Sequence, residues 1–150
     1  SYAKFFNIGA LIIRFFSLYG PGLRKQLLWD ACQKIYRGNV EFFGTGNEKR
    51  DWLHVRDAAR LLFHSFKYAS NNCPVVNGAT GNGVTVFQVV NKLIEVLGFD
   101  FTPLFSGSPK QGDPANYVAN VDKISEWGFL PAIVLNEGIK EYAEWFKNEK

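Results

Sequence analysis

The chain has 150 residues, 47% of them hydrophobic and 16% aromatic, enough to bury about two-thirds of its unfolded surface in one globular unit without staples. A net charge of +3, with nothing denser than Arg24-Lys25 and Lys49-Arg50, excludes a nucleic-acid binder. Two cysteines, Cys32 and Cys73, form neither a disulfide framework nor a zinc spacing, and no Asp/Glu/His spacing suggests a metal; reduced thiols and a cytoplasmic setting are expected.

In chain order, "SYAKFFNI" reads as a helix tail and its loop, and "GALIIRFF" as a strand buried on both faces, the habit of a parallel sheet. The apolar run from Ile8 to Leu18 contains Arg14 and is too short to span a bilayer. The "YGPG" after it lacks a signal-peptide cleavage pattern, so no membrane segment is expected. Arg14 itself needs a partner or a route to solvent and is taken as structural. "LRKQLLWDACQKIYRG" has helical spacing and a Gly38 stop. "VEFFG" and "DWLHV" are predicted strands around a hairpin-like turn at Gly44 and Gly46, with Asp57 capping the next helix. "PVVNGAT" is a predicted strand, and Thr85 caps a helix with Val86, Val89, Val90, Leu93 and Leu97 on its inner stripe. "DFTPLFSG" and "NYVANV" are extended. Residues 122–128 and 135–148 are helical, the last with Ile139, Tyr142, Ala143 and Phe146 inward.

Four segments occur in one characteristic order: "RFFSLYGPG", "GTGNEKRDWLHVRDAA", "VVNGATGNGVTVFQVV" and "KQGDPANYVANVDK". Together with the ending "LNEGIKEYAEWFKNEK" they resemble extended short-chain dehydrogenases/reductases, specifically NAD(P)-dependent nucleotide-sugar epimerases and dehydratases, across nearly the whole chain. The resemblance implies an α/β fold. Residues 1–20 would be the tail of a Rossmann domain, with its last core strand, and residues 21–150 a small mixed α/β substrate-binding domain. A nucleotide diphosphate sugar as ligand and a homodimer in the complete enzyme are also implied.

The same resemblance assigns candidate site residues. Arg50 matches the arginine of the family's G-x-G-x-x-x-R-D segment, which contacts the diphosphate; a guanidinium fork suits two phosphate oxygens. Its neighbour Asp51 is read as orienting the loop. Lys110 stands where relatives carry a second phosphate-binding Arg, keeping the charge without the fork. Asp113 corresponds to an acid near the ribose and Tyr117 to a tyrosine near the sugar. Ser17 replaces a common Asn, Lys25 and Gln26 fall at the helix start that covers the base, and Phe15 and Phe16 end the strand near the nicotinamide. For each there is a plainer reading: a surface Arg paired with Asp51 or Glu48, a turn Asp, a half-buried Tyr, a solvated helix face, core aromatics. His54 and His64 are expected to be histidines at the core edge.

Two family features are missing. No GxGxxG follows a strand, and no tyrosine has a lysine four residues on, the spacing that would place both groups on one helix face. The chain alone is therefore expected to lack catalytic residues, to bind neither NAD nor NADP and to be inactive, as the carboxyl-terminal part of a longer enzyme. The alternative is a naturally short, non-catalytic protein that binds a nucleotide sugar or a partner.

Overall fold

The computed structural model describes residues 2–109 and 111–149 and alternates strands and helices along the chain. Helix α1 (Tyr2–Phe6) leads to β1 (Ile12–Phe15) and β2 (Ser17–Tyr19), and α2 (Gln26–Tyr36) follows the glycine-proline turn. Next come β3 (Glu41–Phe42), β4 (Lys49–His54), α3 (Val55–Ser65) with a tight 3-10 turn at Phe66–Tyr68, β5 (Val75–Gly78) and β6 (Gly83–Thr85). Helix α4 (Val86–Leu97), β7 (Leu104–Phe105), β8 (Asn116–Tyr117), α5 (Asp122–Glu126) and α6 (Leu135–Asn148) complete the order. No helix among the described residues is long and apolar enough to cross a membrane.

Strand β4 organises the sheets. Its second half, Trp52 to His54, runs parallel to β2, while its first half pairs antiparallel with β6 and parallel with β8. Strand β1 pairs with β5, Ile12 opposite Val75, and β3 with β7, both in parallel. The larger core lies between α2, α4, α6 and β4, where Ile35, Leu93, Ile139, Tyr142 and Phe146 are almost fully buried. A smaller cluster of Leu61, Val76, Ile124 and Phe129 sits between α3, α5 and the β1–β5 pair. The predicted inward set of α6 is met in full.

Three local expectations are corrected. Gly44 and Gly46 do not close a hairpin, because β3 pairs with β7 and β4 with β2, β6 and β8. Both glycines have positive φ, and a Cβ on Gly46 would press on the Phe105 ring at 3.0 Å, so the turn is shaped by packing against β7. Asp57 does not cap α3. The cap is His54, whose Nδ1 accepts from Arg56 N at 3.2 Å, while Asp57 is buried in the first turn and accepts from Ala132 N and Ile133 N. Among the described residues strand β1 is not buried on both faces: Ile12 and Arg14 are exposed, and the strand pairs along its β5 edge. Arg14 thus reaches solvent.

Candidate functional site

Where β2 and β4 run parallel, their ends and the amino terminus of α2 enclose a cleft of about 240 Å³. Ser17 comes from β2, Arg50 and Trp52 from β4, Lys25 and Gln26 from the start of α2, and Asp113 from the loop before β8. Five of the residues singled out in the sequence (Ser17, Lys25, Gln26, Arg50 and Asp113) therefore share one cavity.

The β4 pleat separates charges of two kinds. Arg50 faces the cleft, and its Nη1 donates to the Pro114 and Lys49 carbonyls at 2.8 and 2.9 Å. Its Nη2 lies 3.6 Å from Asp113 Oδ2, and its side chain is largely buried against this loop. The neighbouring Asp51 points the other way, fully buried, and gathers four donors: Thr80 N and Oγ1 at 2.7 Å, Gly81 N at 2.9 Å and Ala119 N at 3.3 Å. That is the loop-orienting part expected of it, and the period-two alternation of a strand produces it.

The start of α2 is unusual. Lys25 is extended and makes no side-chain cap, Gln26 adopts a positive φ of 67°, and the first turn holds no acidic residue. No side chain caps this end of α2, where the helix dipole favours negative charge. Two carboxylates also line the cavity. Glu48 is engaged locally: its Oε1 accepts from Thr45 N and Thr45 Oγ1, both at 2.9 Å. Burial opposes its ionisation, but these hydrogen bonds outweigh burial and hold its pKa below the ordinary value. Asp113 faces Arg50, and among the described residues Lys25 lines the cleft with no acidic partner.

Some cleft residues were not foreseen. Tyr19, Trp52 and Tyr142 form aromatic walls, and the Tyr19 hydroxyl and Trp52 indole N–H are buried with no hydrogen-bond partner among the described residues. Burial raises the Tyr19 hydroxyl well above its ordinary pKa, with the charges of Asp57 and Glu141 adding to the effect. Phe43 lies on the rim with an exposed ring. The signal for it was present in "EFF": on a strand, one of two consecutive phenylalanines must face away from the core that buries Phe42.

Other candidates lie elsewhere. Tyr117 does not line the cavity; its ring stacks on Phe16 with centroids 4.5 Å apart. Phe15 packs over Gly78, where any Cβ would collide with its ring. Lys110 falls outside the described residues. His54 is fully buried, not at the core edge, and burial depresses its pKa against the opposing pull of Glu141. His64 is half-buried, with Nε2 at 2.8 Å from the Trp127 carbonyl. No cluster of three metal-ligating side chains occurs among the described residues.

The sequence profile of the NAD dependent epimerase/dehydratase family matches residues 1–77, more than half of the chain. The chain belongs to this family. A UDP-glucose 4-epimerase from Thermotoga maritima, solved with UDP-glucose, is 28% identical and superposes with a TM-score of 0.86 over 99% of this chain and 49% of its own. GDP-L-fucose synthase from Escherichia coli K12 is 26% identical over 116 residues, 72% of this chain and 36% of that protein. UDP-glucuronate 4-epimerase from Thermodesulfobacterium geofontis is 23% identical over 152 aligned positions, 98% of this chain and 46% of that protein. This epimerase/dehydratase-family chain thus spans less than half the length of these curated relatives, with the mixed α/β, parallel-stranded architecture of the Rossmann-type epimerases.

Proposed function

We propose that this chain is the substrate-binding part of an NAD(P)-dependent nucleotide-sugar epimerase or dehydratase and holds a UDP- or dTDP-sugar in the cleft at the start of α2. The observation that carries this reading is the convergence of Arg50, Lys25 and the uncapped α2 amino terminus on one aromatic-walled cavity. A diphosphate needs such a place: a guanidinium fork, a second cation and free backbone N–H groups. Phe43 on the rim offers a ring for the base, and Ser17 and Asp113 offer hydrogen-bonding groups to ribose and sugar hydroxyls. Lys110 belongs to the same reading by its place in "KQGDPANY". The relatives' printed ligands support the class, the Thermotoga enzyme holding UDP-glucose.

In this reading a nicotinamide cofactor bound in the complete enzyme would supply hydride chemistry at the sugar. The residues present fit that cofactor only as an edge. Phe15 and Phe16 end β1, but Phe16 already stacks on Tyr117, and no glycine-rich strand–turn–helix lies in the sequence to cradle a pyrophosphate. The work of these residues is binding and orientation: they fix the nucleoside diphosphate so that the sugar is presented at the β1 end. Positioning of this kind supplies much of the rate in reactions between two bound partners. Residues 1–20 would then belong to the cofactor domain, residues 21–150 to the substrate domain, and the complete enzyme would be a homodimer.

Calorimetric titration with UDP, dTDP and GDP tests the site. UDP or dTDP should bind, and Arg50→Ala should weaken binding by about 2–5 kcal/mol, the usual cost of truncating one partner of a buried charge pair. Unchanged affinity in that variant would remove the diphosphate from Arg50.

A further inference from the structure

The charges around the cleft at the start of α2 are balanced. Among the described residues its lining holds two cations, Lys25 and Arg50, and two carboxylates, Glu48 and Asp113. Thr45 N and Oγ1 both donate to Glu48 Oε1, which engages that carboxylate with its own loop. Arg50 is already surrounded by acceptors: its Nη1 donates to the Pro114 and Lys49 carbonyls, and Asp113 Oδ2 stands 3.6 Å from its Nη2. That separation is too long for a hydrogen bond, so Nη2 keeps donors to offer while its charge is shared with a carboxylate. The Asp113 side chain is 53% exposed and that of Arg50 14%, so the negative member of the pair is the one presented to an anion arriving from solvent.

We propose that Asp113 is a selectivity residue of this cleft, one that turns away inorganic phosphates and admits a diphosphate carrying neighbouring hydroxyl groups. The proposal rests on the nucleotide-binding reading above and deepens it. An ionised carboxylate only accepts hydrogen bonds, so it is satisfied by a ligand that brings donors and opposes one that brings charge alone. Inorganic pyrophosphate brings dense negative charge and no alcohol hydroxyl. It is attracted by Arg50, repelled by Asp113 beside it, and has nothing to return to the carboxylate. A nucleoside diphosphate brings ribose hydroxyls, which Asp113 can accept while the diphosphate engages Nη2. Lys25 makes no such distinction, because it attracts both ligands. Selectivity of this kind comes from a repulsive group aimed at the wrong ligand as much as from contacts to the right one.

The test is calorimetric titration of the intact protein, Asp113→Asn and Asp113→Ala with UDP and with inorganic pyrophosphate. Asp113 is an exposed loop residue, so both variants retain the fold. Asp113→Asn should bind pyrophosphate roughly fivefold more tightly than the unaltered protein, the scale of one exposed ion pair, while UDP gains less or weakens. The preference for UDP therefore narrows. Asp113→Ala, which loses the acceptor as well as the charge, should show the same gain for pyrophosphate and bind UDP more weakly than Asp113→Asn. The inference is overturned if UDP binds but pyrophosphate affinity is unchanged or lower in both variants, since Asp113 would then only hold Arg50 in place. Equal gains for both ligands would overturn it as well, because the carboxylate would then repel without choosing. Failure of the nucleotide reading has a different signature: pyrophosphate tightens in both variants, which keeps Asp113 as the barrier at Arg50, and UDP binds to none of the three proteins. No binding of either ligand to any of them overturns both.

Discussion

At the scale of single residues, the two acids of "RDWLHVRD" show how far sequence spacing carries and where it stops. Asp51 and Asp57 are both fully buried, and each is satisfied by backbone N–H groups from distant loops: Thr80, Gly81 and Ala119 for the first, Ala132 and Ile133 for the second. Asp57 also holds Arg60 at 2.5 Å. Replacing Asp51 by Ala would orphan several buried donors at once, and chemical denaturation should report a loss of about 3–5 kcal/mol. The structural part of Asp51 was legible, because a charge beside a run as apolar as Trp52-Leu53-His54-Val55 must find partners. That of Asp57 was not: an acid at a helix start reads as a cap, and the two N–H groups that draw it inward come from a loop some 75 positions away. Gly138 is a second residue whose role lies outside local sequence. A Cβ there would collide with the Tyr19 ring and hydroxyl, so Gly138→Ala, an exchange that favours an isolated helix, should cost about 1–3 kcal/mol in thermal unfolding.

At the scale of elements, long helices were readable because their signals are local. Thr85 caps α4 as expected, and with Gln88 it forms a full capping box, with Gln88 N to Thr85 Oγ1 at 3.2 Å and Thr85 N to Gln88 Oε1 at 3.0 Å, while Gly98 closes the helix at a φ of 87°. Thr85→Ala should lower stability by about 1 kcal/mol, and a double-mutant cycle with Gln88→Ala should show the two losses to be coupled, not additive. Short strands were harder. β3, β7 and β8 have two residues each, and their partners are set by tertiary packing, so "VEFFGTGNEKRDWL" looked like a hairpin until β7 took the place beside β3. The cleft was legible where the family resemblance placed named residues and opaque at Tyr19, Trp52 and Tyr142, whose aromatic character alone cannot separate a core from a cavity wall.

At the scale of the whole molecule, one buried histidine links acidity to stability. His54 Nδ1 caps α3, its Nε2 lies buried 3.7 Å from Glu141 Oε2 with no hydrogen-bond partner among the described residues, and Glu141 is itself tied to Arg56. Tyr19 closes the site edge-on, with ring centroids 5.2 Å apart. Burial is the largest influence and lowers the native pKa below the ordinary 6.5, and Arg56 acts in the same sense, while Glu141 and Asp57 oppose them. The unfolded chain therefore takes up the proton first. This contribution to stability is complete above pH 6.5 and is lost as pH falls from there toward the native pKa. Urea midpoints measured on both sides of pH 6.5 should show the decline, and His54→Asn, which retains a cap acceptor but does not titrate, should flatten it.

The alternation along β4 has a consequence for how this chain tolerates changes of length. Arg50 and Trp52 address the cleft, while Asp51 and Leu53 address the interior. Parity along the strand therefore decides which residue meets the cleft and which the interior. Deleting one residue from the turn at Gly44 to Glu48 would, if the pairing with β2 slipped to compensate, push a guanidinium into the place built for a carboxylate and bring a carboxylate to the mouth of the cleft. Insertions and deletions in that turn should be selected against far more strictly than substitutions at its exposed positions, and a library of length variants scored for soluble expression would reveal it.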